Sequence, residues 1–118
     1  MDNGDAVVDW FYAVDAGQLV MAALEADPTP TRAYNVSGDL RGVKEAADYL
    51  TENIPDAQLT IKPGTINANW NLDSTRLKEE IGFEHRYSME EGIQDAVARV
   101  RESYDLPPLP GFDRVALY

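Results

Sequence analysis

Two rhythms of apolar and polar positions run along this chain, one suited to strands and one to helices. Asp9-Trp10-Phe11-Tyr12-Ala13-Val14 is aromatic and β-prone and predicts a short first strand. Asp15 stands where an N-cap belongs, with Gln18 three residues on as its capping-box partner. Leu19, Val20, Ala23 and Leu24 then fall close to one helical face, and Asp27-Pro28-Thr29-Pro30 ends that helix near Ala26. Strand, tight turn and helix in this order make half of a βαβ unit. Thr31 to Val36 predicts a second strand, closed by the turn-formers Ser37-Gly38-Asp39. Val43, Ala46, Ala47, Leu50 and Ile54 share one helical stripe, with Gly42 at the N-cap, Glu45 at N3 and Pro55 as the stop.

The alternation in Gln58-Leu59-Thr60-Ile61-Lys62 predicts a third, half-exposed strand before Pro63-Gly64. Asp73 caps a short helix that runs through Leu77 to Ile81 and stops at Gly82. Ser88-Met89-Glu90-Glu91 is a capping box opening a longer helix, with Met89, Ile93, Ala96, Val97, Val100 and Tyr104 on one face. Asp105-Leu106-Pro107-Pro108-Leu109-Pro110-Gly111 cannot be helical, so residues 107–118 form an extended, Pro-rich tail that docks on the domain or on a partner. The expected fold is a small α/β domain of α+β-like character over residues 1–106, with about three short strands and four helices. So thin a sheet leaves an edge or face in need of a partner.

Composition narrows the chemistry. The 118 residues hold 21 Asp and Glu against 10 Lys and Arg, a net charge of −11, with one His and no Cys. Without Cys there is no disulfide framework, thiolate zinc site or cysteine nucleophile, and His85 alone rules out a multi-histidine metal cage. The acidity fits a solvated exterior or a halophile-like surface, and it argues against nucleic acid as a partner. No signal-peptide layout and no apolar stretch of bilayer length is present, so a cytoplasmic protein with no membrane partner is expected.

The motifs of catalysis are missing from these residues. The eight Gly fall into no dinucleotide-binding or P-loop spacing, and a carboxylate at Asp15-Ala16-Gly17 would repel phosphate. No Tyr is followed four residues on by Lys. His85, in the polar run Glu84-His85-Arg86, reads as a surface imidazole, and the Glu79-Glu80 and Glu90-Glu91 pairs as solvated helix faces.

Four segments nevertheless resemble one family, the NAD-dependent epimerase/dehydratases (extended short-chain dehydrogenases/reductases). Asp9-Trp10-Phe11-Tyr12-Ala13-Val14-Asp15 is similar to its D-Y-V-Y-V-x-D segment, and Tyr34-Asn35-Val36-Ser37-Gly38 to its Y-N-V-G strand and turn. Asp73-Ser74-Thr75-Arg76 through Ile81-Gly82-Phe83 resembles D-x-S-K…L-G-F, and Arg86-Tyr87-Ser88-Met89-Glu90-Glu91-Gly92-Ile93 resembles P-x-x-S-L-E-E-G-I. Their order and spacing cover roughly residues 9 to 100.

The resemblance implies the C-terminal, substrate-binding part of an enzyme acting on a sugar or nucleotide-sugar. The N-terminal Rossmann domain, with NAD or NADP and the Tyr-x-x-x-Lys pair, would then lie upstream, leaving this segment no cofactor and no catalytic residue of its own. It also implies substrate contacts from Trp10, beside the diphosphate-binding arginine position that Val8 fills here, and from Lys62 and Thr65 of Lys62-Pro63-Gly64-Thr65, the counterpart of R-P-G-D; the residues themselves read equally as core packing for Trp10 and an exposed strand-end lysine for Lys62. With Val8 and Lys62 at those positions, smaller or uncharged substrates stay open. The competing expectation is a stand-alone, non-catalytic binding module of the same ancestry, self-associating as a homo-oligomer.

Overall fold

A computed structural model of the chain describes residues 1–66 and 71–118. Among these the elements run β1 (Val7–Trp10), α1 (Ala13–Glu25), β2 (Asp39–Gly42), α2 (Val43–Asn53), α3 (Thr75–Ile81) and α4 (Met89–Ser103). The result is a small mixed α+β domain, four helices with one two-stranded antiparallel sheet. Val7 pairs with Gly42 and Trp10 with Asp39 across that sheet.

This corrects the expectation of about three strands beginning with half a βαβ unit. The partner of β1 is Asp39–Gly42, residues that read as a turn and an N-cap, and the pairing is antiparallel, so α1 is not a parallel crossover. Thr31–Val36 forms no strand among the described residues. A strand exists only where a neighbour shares its ladder. Here side chains do the anchoring instead: the Thr31 and Tyr34 hydroxyls donate to the Glu80 carboxylate of α3 at 3.1 and 2.7 Å.

Gln58–Lys62 is not a regular strand either, although its end lies along the N-terminal residues. The Lys62 amide donates to Met1 O at 2.8 Å and Lys62 O accepts from the Gly4 amide at 2.9 Å. A parallel ladder would bond Lys62 to residues two apart. Asn3, in the left-handed region at φ 59°, inserts the extra residue that breaks the register.

The helices follow their caps more closely. α2 begins after Gly42, whose amide donates to Glu45 Oε2 at 2.6 Å, and it buries Val43, Ala46 and Ala47. α4 opens with both halves of its box formed, Glu91 N–H to Ser88 Oγ at 3.2 Å and Ser88 N–H to Glu91 Oε2 at 2.9 Å. α3 takes Ser74 rather than Asp73 as its N-cap, while Asp73 Oδ1 accepts the Thr75 amide, and it ends at Gly82 with φ 75°. α1 starts at Ala13 with Tyr12 as N-cap, which moves Asp15 from the expected cap into the first turn.

Packing is thin. Among the described residues the buried apolar ones are Ala6, Val43, Ala46, Ala47, Leu77, Phe83, Tyr87, Met89 and Phe112, three of them alanines. The radius of gyration is 16.5 Å and the shortest dimension 18 Å. A compact chain of this length would have a radius of about 13.5 Å. A flattened body encloses little core, and part of the expected core is consequently outside. On α1, Val20, Met21 and Leu24 are 59%, 50% and 75% exposed, and with exposed Ala13 and Gly17 they form one apolar stripe facing solvent. On α4 Val100, and at its C-cap Tyr104, are also exposed.

The tail docks on the domain. It turns at Gly111, which has φ 81°, and buries Phe112 against Tyr49 with ring centroids 6.0 Å apart.

Gly38 is the tightest backbone contact between the sheet and the return from α1. A Cβ there would lie 2.3 Å from Trp10 O, and the Gly38 amide donates to Asp9 Oδ1 at 2.6 Å. Gly38→Ala must therefore push the chain off β1, and a loss of about 2 kcal/mol is expected from urea titration. A loss below a few tenths would show that the backbone can relax there.

Candidate functional site

Of the sequence-expected site residues, Trp10 lies in a cleft. At the end of β1 the chain passes through Phe11 and Tyr12 into α1, and these three aromatic residues face the first two turns of α4. Trp10, Phe11, Tyr12, Ser88, Met89, Gly92, Ile93 and Ala96 line an apolar cleft of about 210 Å³. Gly92 sets its width, since a Cβ at that position would sit 3.3 Å from Tyr12 Cγ. The Tyr12 ring is backed by Tyr87, with centroids 4.9 Å apart.

The polar atoms around the cleft have internal partners. Trp10 Nε1–H donates to Arg41 O at 3.1 Å, the Tyr12 hydroxyl to Asp95 Oδ2 at 2.7 Å, and Ser88 Oγ accepts the Glu91 amide. Arg41, the nearby cation, is held by Glu90 at 2.8 Å and Glu45 at 2.9 Å. Burial, and then the Asp95 carboxylate, push the Tyr12 phenol up to about 12, so it keeps its proton at neutral pH. The cleft walls are thus largely apolar, with the Trp10 N–H and Tyr12 O–H directed into the protein.

Two fully buried carboxylates brace its walls. Asp15, from the first turn of α1, accepts the Arg86 and Tyr87 amides at 2.9 and 3.1 Å, together with the Tyr118 hydroxyl. Asp95, on the inner face of α4, takes the Tyr12 hydroxyl, the Arg99 and Arg114 guanidinium groups and the Val115 amide. Burial opposes ionisation of Asp95, but donors from Arg99, Tyr12, Val115 and Arg114 outweigh it and bring the carboxyl down to about 2. The Tyr118 phenol is raised by burial and by its bond to Asp15. Arg86 closes the tail down, donating to Leu117 O and lying 4.4 Å over the Tyr118 ring.

The sequence pointed to Asp15 only as a cap and missed Asp95. Its one local signal is an Asp on the inward face of α4 with Arg99 four residues on.

Lys62 and Thr65 lie elsewhere. Both are exposed on the segment beside the N-terminal residues, and Lys62 Nζ faces Asp2 at 3.4 Å. His85 is half-buried and lines a second, polar cavity of about 570 Å³ with Ser37, Asp73, Ser74, Thr75, Lys78 and Glu84 among its walls. Among the described residues no group of His, Asp and Glu is placed to hold a metal ion, and no helix is long and apolar enough to cross a membrane.

Compared with known proteins, the chain matches no family model, no curated protein and no solved structure.

Proposed function

We infer that this chain is the substrate-binding portion of an NAD(P)-dependent epimerase/dehydratase-like enzyme, acting on a sugar-like substrate beside a dinucleotide-binding domain. The observation that carries the reading is how the four resembling segments are joined. Asp9 of the first segment accepts the Gly38 amide of the second. Ser37 and Tyr34 of the second bond Ser74 and Glu80 of the third, at 2.9 and 2.7 Å. Asp15, closing the first, accepts two amides of the fourth. Residues that make up the resemblance thus hold the tertiary structure together, as residues of one ancestral unit should.

The apolar stripe of α1 and the strandless Thr31–Val36 segment support the same reading. An exposed apolar helix face marks a surface on which another body packs. A neighbouring Rossmann domain would cover that stripe and offer a strand to that segment.

The residues here do not fit the dinucleotide itself. Tyr12 and Phe11 fill the strand-to-helix turn, and Asp15 in the first turn of α1 opposes a pyrophosphate. NAD or NADP would be held by the neighbouring domain, and this portion would orient substrate against it. In this reading Trp10 would contact substrate from the cleft, and Lys62 and Thr65 would reach it only from the other segment.

Isothermal calorimetry tests the division of labour. No saturable NAD(H) or NADP(H) binding is expected for the 118-residue chain, whereas measurable uptake would overturn it. In the encoding DNA, a G-x-x-G-x-x-G turn and a Tyr-x-x-x-Lys pair in frame upstream of Met1 are expected, and a stop codon there would favour the stand-alone binding module.

A further inference from the structure

We propose that two copies of this chain exchange their tails, residues 112–118 of each docking in the groove of the other, with Gly111 as the hinge. The proposal stands apart from the substrate-binding reading and does not depend on it.

The tail is seated as a peptide ligand is. Among the described residues, no backbone-to-backbone hydrogen bond ties residues 112–118 to the body, apart from the turn bond from the Phe112 amide to Leu109 O. Side chains of the body grip it instead. The Val115 amide donates to Asp95 Oδ1 at 2.9 Å, and Val115 O accepts from the Tyr87 hydroxyl at 2.6 Å. Leu117 O accepts from the Arg86 guanidinium at 2.6 Å. At one end Phe112 is buried against Tyr49, and at the other the Tyr118 hydroxyl reaches Asp15. All of these partners lie before the tail, so a second copy presents the same groove.

That groove needs an occupant. Asp15 and Asp95 are fully buried with the tail in place, and withdrawing it takes donors from both while uncovering Phe112. The segment that restores every one of these contacts is the same segment of another chain.

A single turn sends the tail to its own body. The chain is fastened to α4 as far as Pro107: the Leu106 amide donates to Arg101 O at 2.8 Å, and Pro107 O accepts from Arg101 Nε at 2.6 Å. Pro107, Pro108 and Pro110 then restrict the backbone to extended conformations. The reversal comes at Leu109-Pro110-Gly111-Phe112, closed by the Phe112 amide on Leu109 O at 3.0 Å, with Gly111 at φ 81°. Pro followed by a residue at positive φ is the type II turn. With Gly111 extended instead, the reversal is lost and a proline-stiffened arm carries the tail away from its own groove. Exchange then keeps every docking contact and alters only the hinge, which is why swapping is a low-cost route to a dimer.

The chain has no Cys, so introduced thiols report cleanly. Gln18 on α1 and Ala116 in the tail line one cavity of about 200 Å³. Gln18→Cys and Ala116→Cys chains, one of them isotope-labelled, are mixed unfolded and refolded together at about 1 mM, the effective concentration a short linker provides. A short bismaleimide should then join residue 18 of one chain to residue 116 of the other, with 18–18 and 116–116 products several times rarer. Light scattering of the unaltered chain should show a dimer that grows with concentration. At Gly111 nothing lies within 4 Å of an added Cβ, so Gly111→Val changes only the preference for φ 81°. It should raise the dimer share about fivefold at equal concentration. An unaltered chain that stays monomeric up to that concentration, or an 18–116 product no commoner than the like pairs, overturns the exchange. A dimer share unmoved by Gly111→Val, in a variant that keeps its helical circular dichroism, overturns Gly111 as the hinge.

Discussion

Asp95→Ala is expected to destabilise the fold by about 3 kcal/mol, which in a domain of this size lowers the melting temperature by on the order of 10 °C. The carboxylate is fully buried and gathers four donors from three parts of the chain: Tyr12 before α1, Arg99 within α4, and Arg114 and Val115 in the tail. Removing it leaves the Tyr12 hydroxyl and the Val115 amide without their acceptor. Each such loss costs about 1–3 kcal/mol. Arg99 and Arg114 are close to half-exposed, at 45% and 49%, so they regain water, which keeps the total near the lower end for a broken buried pair.

The same site sets a dependence on acid. The Asp95 carboxyl sits at about 2 in the folded chain, below its ordinary value of 3.8. Its contribution is therefore present in full above pH ~4 and is lost as pH falls through ~2, and its size is roughly 2 kcal/mol. Asp95→Asn discards the charge but also turns one of the two acceptor oxygens into a donor, so only the pH-dependent part of its effect reports the charge. The stability gap between the unaltered chain and Asp95→Asn should shrink by about 2 kcal/mol between neutral pH and pH ~2. A gap that stays constant across that range, measured by urea titration at several pH values, would show that charge at Asp95 plays no part.

Asp15→Ala should cost a similar amount, about 3 kcal/mol, for a different reason. Asp15 is not serving chiefly as a favourable charge at a helix N-terminus, a role worth only about 0.3–1 kcal/mol at a surface. It takes the amides of Arg86 and Tyr87, which precede the Ser88 cap, and so binds the start of α1 to the start of α4. Without it a buried peptide segment loses its acceptor. Hydrogen exchange at the Arg86 and Tyr87 amides should accelerate at least tenfold in Asp15→Asn, where one of the two oxygens is replaced by a donor. Tyr118→Phe, removing only the hydroxyl that reaches Asp15, should cost about 1 kcal/mol. Unchanged exchange at both amides together with an unchanged melting temperature in Asp15→Ala would reduce the carboxylate to a local helix feature.

These networks also bear on the proposed function. Asp95 fixes Tyr12, a wall of the Trp10 cleft, and at the same time anchors Arg114 and Val115 of the tail. Cleft shape and tail docking are therefore parts of one construction. A variant that frees the tail should also loosen the cleft.

What the sequence by itself determined was helical, because helix signals are local. The Ser88 and Glu91 box, the Gly42 and Glu45 pair and the Gly82 stop need only residues within a turn of one another, and each lies where the pattern placed it. Strands are different, since their hydrogen bonds are made with distant residues. Thr31–Val36 has strand composition and no strand, while Asp39–Gly42 reads as a turn and pairs with β1. Only the tertiary structure decided that Asp15 and Asp95 are buried structural acceptors, because their donors lie up to about a hundred residues away and in a tail whose docking has no local code. It also decided that Val20, Met21 and Leu24 face outward. Periodicity says that a helix has an apolar side, but which body covers that side depends on what packs against it.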